Sequence, residues 1–194
     1  DRSFMDNYDC LDSLEKMTVT AESGNRFMFM TNNLTHEEMM LDAKTYSPVT
    51  ASGDLRSEVD NSDFDAKHED RFVLSGTGKM IKVNSGFQMS TYQTNVCALL
   101  TLEKWFDYLK EENLYDNTRI ILVSDHGYMM DSVEELRHEK YVDTQSGTDS
   151  LEPYFPLLLV KDFNATGSVT VSDAFMTNAD VPYLATKDVI ETPI

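Results

Sequence analysis

Basic residues are scarce in this chain: 16 Lys and Arg stand against 34 Asp and Glu in 194 residues, a formal net charge of −18. Neutralising a nucleic-acid backbone needs basic patches, so nucleic acid is not expected as a partner. Cysteine is nearly absent. Cys10 and Cys97 fit no metal-ligand spacing and no disulfide framework, and the sequence leaves open whether they pair. No apolar run approaches the roughly 20 residues that span a bilayer. The chain opens on Asp1 with neither an initiating Met nor a signal-peptide pattern, which reads as a piece of a longer protein or a processed product. Two further motifs fail on inspection. The GTGK at 76–79 lacks the first glycine of a phosphate-binding loop and the Ser or Thr after Lys79. Asp60, Asp63 and Asp65 lack the glycine and the closing glutamate of a calcium loop.

What is present is globular: 41% apolar residues and 10% aromatics are enough for a packed core rather than a disordered chain. The length predicts one domain, residues 1–194. Most of the acidic surplus reads as a solvated surface. Phe4, Tyr8, Leu11, Leu14 and Met17 recur at spacings of three and four, predicting an amphipathic helix over 4–17. Ser23-Gly24-Asn25 reads as a turn into a short strand, RFMFMT, at 26–31. Residues 41–64, rich in Ser, Asp and Thr, read as a long surface loop. The runs 71–74 and 80–83 suggest a hairpin. The strongest helix is predicted over 92–113, with Val96, Leu99, Leu100, Phe106 and Leu109 as its apolar stripe, widened by Leu102 and Trp105. Tyr115-Asp116-Asn117 then turns the chain into a strand at 119–124, and 156–160 reads as another. Thr177 or Asn178 is placed to cap a closing helix, with Pro182 in its first turn. Alternation of helix and strand predicts an α/β fold, a three-layer α/β/α sandwich around a mostly parallel sheet.

The chemistry concentrates at 119–127, RIILVSDHG. An apolar run stops at Asp125-His126-Gly127, which sets a carboxylate beside an imidazole where a strand ends. Open α/β sheets bind ligands at the carboxyl ends of their strands. One hard oxygen and one nitrogen form a ligand pair suited to zinc, manganese or a similar divalent ion. Gly127 permits a sharp turn or a close approach to a ligand. His36 follows the predicted strand at 26–31 in the polar run NNLTHE, and two such exits from one parallel sheet would open on a common crevice. His68 and His138 sit in charged runs, AKHEDR and ELRHEKY, and read as solvated.

With RFMFMTNNLTH (26–36), ALLTLEKWFDYLKEENLYDNTRIILVSDHG (98–127), PLLLVKDFNATG (156–167) and FMTNADVPYLAT (175–186) in that order, the chain resembles the sulfatase-like branch of the alkaline phosphatase superfamily. It resembles especially the membrane-anchored bacterial enzymes similar to lipoteichoic acid synthases and phosphoethanolamine transferases. The block ending in DHG is the specific part. The resemblance implies the alkaline-phosphatase-like sandwich and a metal-dependent hydrolase or transferase of phosphate or sulfate esters, carried on lipid headgroups or glycans. It implies one divalent ion (Mn, Zn, Mg or Ca) with Asp125 and His126 as ligands, and His36 as the catalytic histidine facing the phosphate or sulfate. A family nucleophile is missing: Cys10 is followed by LDSL and Cys97 by ALLT, neither of which fits the Cys-x-Pro-x-Arg pattern of sulfatases. The chain is therefore expected to be the C-terminal part of the catalytic domain, soluble and inactive alone. Membrane attachment, at the extracytoplasmic face of the cell membrane, would come from an N-terminal region. A non-catalytic α/β interaction module and a calcium-stabilised acidic domain are the competing expectations.

Overall fold

A computed structural model describes residues 2–20, 23–37, 39, 41–42, 45–48, 86–128, 130, 136 and 150–191. The chain divides into two compact units, Asp1–Leu109 and Lys110–Ile194.

In the first unit the predicted N-terminal helix forms as α1 (Arg2–Asp12) and, after a break at Ser13, a single turn α2 (Leu14–Met17). Phe4, Leu11 and Leu14 are buried, and they pack with Leu34, Leu41, Cys97 and Ala98 into one core. Tyr8 stacks on Phe4 with ring centroids 6.3 Å apart. The long helix α3 (Gly86–Glu111) begins six residues before its predicted start at 92 and gives way at Asn113, whose φ of 57° is the left-handed conformation that commonly ends helices. Its buried face differs from the predicted stripe. Gln93, Thr94, Cys97, Ala98, Thr101 and Leu109 are buried, while Leu99 and Leu100 are exposed. The polar members are satisfied: Thr94 and Thr101 donate to the carbonyls of Thr91 and Cys97 one turn back, and Gln93 Oε1 accepts the Leu41 N–H at 2.8 Å. Once bonded, such groups cost little to bury. Both cysteines are free thiols.

In the second unit β1 (Ile120–Val123) pairs with β2 (Leu158–Lys161), and the closing helix α4 (Val181–Thr186) follows a 3₁₀ turn, Asn178–Asp180. Of the two candidate caps, Thr177 and Asn178, it is Thr177 that precedes the turn; its N–H and hydroxyl both donate to the Asp180 carboxylate, and Pro182 lies in the first turn of α4. Arg119 binds the unit together. Its guanidinium, 5% exposed, donates to Asp162 at 2.8 Å and to the carbonyls of Leu184 and Lys187 at 3.0 and 2.6 Å, and stacks on Phe163. Lys161 likewise donates to the carbonyls of Tyr115 and Thr118, and burial pulls its ammonium below its ordinary value.

The expected α/β/α sandwich with a mostly parallel sheet is not what forms. Among the described residues the sheet has two strands, antiparallel, with Ile120 opposite Lys161 and Val123 opposite Leu158. Apolar runs mark strands without stating their direction. A parallel pairing needs a crossover, usually a helix, and between β1 and β2 the described residues hold only 3₁₀ turns. RFMFMT is not a strand: its backbone joins no ladder, and Phe27, Met28 and Phe29 are exposed. The predicted hairpin at 71–74 and 80–83, and most of the predicted 41–64 loop, lie outside the described residues.

Two measurements check the role of Arg119. Arg119→Leu strands two helix-end carbonyls and the Asp162 carboxylate, and should cost about 3 kcal/mol in urea unfolding. Arg119→Lys should recover only part, since an ammonium cannot reproduce the planar fork. Burial alone would raise the Asp162 carboxyl. The Arg119 hydrogen bond, the Phe163 N–H and the charges of Arg119 and Lys187 outweigh it and hold the carboxyl below its ordinary value. The stability this contributes is complete above the unfolded carboxylate pKa of about 3.9 and is lost as pH falls through the lowered folded value. Asp162→Asn should flatten that acid limb of the stability profile.

Candidate functional site

The strand exit is built by a change of hydrogen-bond partner at Ser124. Its N–H donates to the Leu157 carbonyl at 3.0 Å, as an antiparallel ladder requires, but the Leu157 N–H is accepted by the Ser124 hydroxyl at 2.8 Å. The hydroxyl stands in for the Ser124 carbonyl, which is taken instead by the Asn178 side-chain amide at 3.1 Å. The same nitrogen donates to the Asp125 carbonyl at 2.9 Å. Further along, the Gly127 N–H donates to the Pro153 carbonyl at 2.9 Å, and the Met130 N–H to the buried Glu152 carboxylate at 2.7 Å. The backbone of 124–127 is therefore held by β2, by the turn before α4, and by the 3₁₀ turn Glu152–Tyr154.

Gly127 has a reason other than the one expected. Its φ is not positive. A β-carbon there would overlap the Glu152 carbonyl oxygen and lie 2.8 Å from that of Phe155. The close approach is to backbone of the same unit.

On this frame the two candidate ligands lie together. Asp125 Oδ1 accepts the His126 N–H at 2.9 Å, and Oδ2 lies 3.6 Å from His126 Nε2. His126 Nδ1 meets the Gly127 carbonyl at 2.5 Å. A carbonyl only accepts, so Nδ1 carries the proton of the neutral ring and Nε2 the lone pair. Adjacent ligands of a tetrahedral ion bound at about 2.1 Å stand roughly 3.4 Å apart. The Oδ2 to Nε2 separation fits that edge, and a backbone carbonyl on the far ring nitrogen is the usual support of a metal-binding histidine. Both side chains reach water, with 88% of Asp125 and 57% of His126 exposed. Among the described residues no group of three or more His, Cys, Asp or Glu is placed to hold an ion. This exit thus supplies one carboxylate oxygen and one imidazole nitrogen.

His36 belongs to the first unit, as the last residue of the 3₁₀ turn Leu34–His36. The turn is clamped to α1: Asn7 Oδ1 accepts the Asn33 N–H at 2.9 Å, Asn32 donates to the Asn7 carbonyl, Ser3 donates to Glu37, and Leu34 is buried. The imidazole itself is exposed. His36 follows no strand, because 26–31 forms none. His68, His138 and Asp60, Asp63 and Asp65 lie outside the described residues. Asn178, which the sequence offered only as a cap, is the residue whose contact with this exit the sequence did not disclose. No local signal could have found it, since Asn is at least as good an N-cap as Thr and its partners lie more than 50 residues away.

Gly127→Ala should lower stability by about 2 kcal/mol through this overlap with fixed carbonyl oxygens, read as a fall in the thermal midpoint of the second unit. Comparisons with protein-family models, with curated proteins and with solved structures find no match to the chain.

Proposed function

We propose that Asp125 and His126 hold a divalent metal ion, and that the chain is part of a metal-dependent hydrolase or transferase of phosphate or sulfate esters of the sulfatase-like kind. The observation that carries the proposal is the 3.6 Å pairing of Oδ2 with Nε2 at a strand end, with Nδ1 engaged by the Gly127 carbonyl. The resemblance of the DHG block supplies the reaction class. When bound, the ion neutralises charge on the transferring group and lowers the pKa of a hydroxyl nucleophile.

Neither thiol is offered as that nucleophile. Cys97 is buried and burial pushes its thiol up, though the Thr101 hydrogen bond and the Lys104 charge pull against it; Cys10 lies within α1. The chain by itself is proposed to bind the ion weakly and to turn over no ester. His36 enters by resemblance alone, as a donor to a nonbridging oxygen of the ester. The substrate is an ester on a lipid headgroup or glycan, and work at the outer face of a cell membrane is part of the same proposal. Among the described residues no helix is long and apolar enough to cross a membrane.

Titration with Mn²⁺ or Zn²⁺ while following thermal unfolding tests the reading. An ion at ten times its Kd stabilises by about 1.4 kcal/mol, so the midpoint should rise, and Asp125→Ala or His126→Ala should each abolish the rise. A rise that survives both substitutions, or no rise in the unsubstituted chain, overturns it.

A further inference from the structure

We infer that Asn178 is the positioning residue of the Asp125–His126 exit: its amide replaces β2 as the partner of the backbone where the ladder stops. Ser124, just past β1, bonds Leu157, just before β2, giving its N–H to the Leu157 carbonyl and accepting the Leu157 N–H on its hydroxyl. Its carbonyl and that of Asp125 are consecutive, and a single nitrogen, Asn178 Nδ2, spans both at 3.1 and 2.9 Å. Two donors from one fixed point onto two successive carbonyls set the orientation of the peptide between them. They thereby aim the Asp125 side chain and the His126 backbone that follows.

The chemistry calls for a primary amide. It presents two protons at one nitrogen without charge, whereas a carboxylate of the same shape would turn acceptors toward two carbonyls and a hydroxyl would offer one proton. Asn178 is itself held. It opens the 3₁₀ turn Asn178–Asp180, which is closed from the residue before it by the two bonds of Thr177 to the Asp180 carboxylate. The turn that starts α4 therefore sets the exit, as supporting bonds around metal ligands do in general.

The part of this inference that concerns the metal rests on the reading of Asp125 and His126 as ligands; the part that concerns geometry does not. Two readouts on the 194-residue chain separate them. The first is the His126 tautomer, by nitrogen NMR at about pH 8, above the ordinary imidazole pKa. The second is the Mn²⁺ dissociation constant. In the unsubstituted chain Nδ1 should carry the proton. Asn178→Asp and Asn178→Leu should move the proton population toward Nε2 and weaken Mn²⁺ binding about tenfold, and Asn178→Gln, which keeps both donors, should restore much of each. Arg119→Lys, which loosens the other end of α4, should lower the thermal midpoint and leave the tautomer alone.

An unchanged tautomer in both Asn178→Asp and Asn178→Leu overturns the inference, as does a shift of equal size in Arg119→Lys. If the unsubstituted chain binds no Mn²⁺ while the tautomer still responds to Asn178, the metal reading falls and the positioning role stands.

Discussion

The second unit depends on one buried guanidinium. Arg119 sits just before β1, and its donors reach the carboxylate that follows β2 and the carbonyls at the end of α4. A helix C-terminus presents carbonyls without intrahelical partners and a partial negative charge, and a planar, permanently charged fork is the side chain best suited to meet several of them at once. Among the described residues the sheet has two strands, too few to be stable without packing or pairing elsewhere. Strand, strand and helix therefore meet at a polar node where a larger domain would rely on its core. Asp162, held low by that node, records the same fact in its titration.

The node has a consequence at the far end of β1. α4 and the turn before it run opposite to the strand, fastened at one end by Arg119 and at the other by Asn178. The strand between them has little freedom to slide, because a slip of one residue would exchange its faces and break both fastenings. Asp125 and His126 are thus fixed through their backbone. Their side chains, largely in water, receive little fixing of their own beyond the bonds to His126 N–H and the Gly127 carbonyl.

Local signals in the sequence translated well where the physics is local. The spacing of Phe4, Leu11 and Leu14, the long helix closing just before Asn113, the apolar runs of β1 and β2 and a capped turn at Thr177 or Asn178 were all legible from neighbours within a few residues. The direction of β2 was not, because direction depends on the connection and an apolar run reads the same both ways. The buried face of α3 was hidden for a different reason. A count of apolar residues selects Leu99 and Leu100, yet threonines that return their hydroxyls to the helix's own carbonyls are buried in their place. RFMFMT misled in the opposite sense: alternation of apolar residues makes a strand only when a partner accepts its N–H groups, and among the described residues none does.

The candidate site divides along the same line. Asp125 and His126 could be found because the run RIILV stops at DHG, a junction written in consecutive residues. What orients them could not, since the Asn178 amide is more than 50 residues away and the Ser124 hydroxyl acts by displacing a backbone bond. Gly127 shows the limit of reading residue types alone. A glycine beside two candidate ligands invites a ligand-side explanation, but the space it leaves is filled by the carbonyls of Glu152 and Phe155. That packing ties the exit to a turn some 25 residues downstream. A ligand pair with two donors and high exposure loses conformational entropy for every degree of freedom it must fix on an ion. The backbone fastening is consequently the main source of order available to it, and any ion it holds must complete its shell with water or with groups beyond this exit.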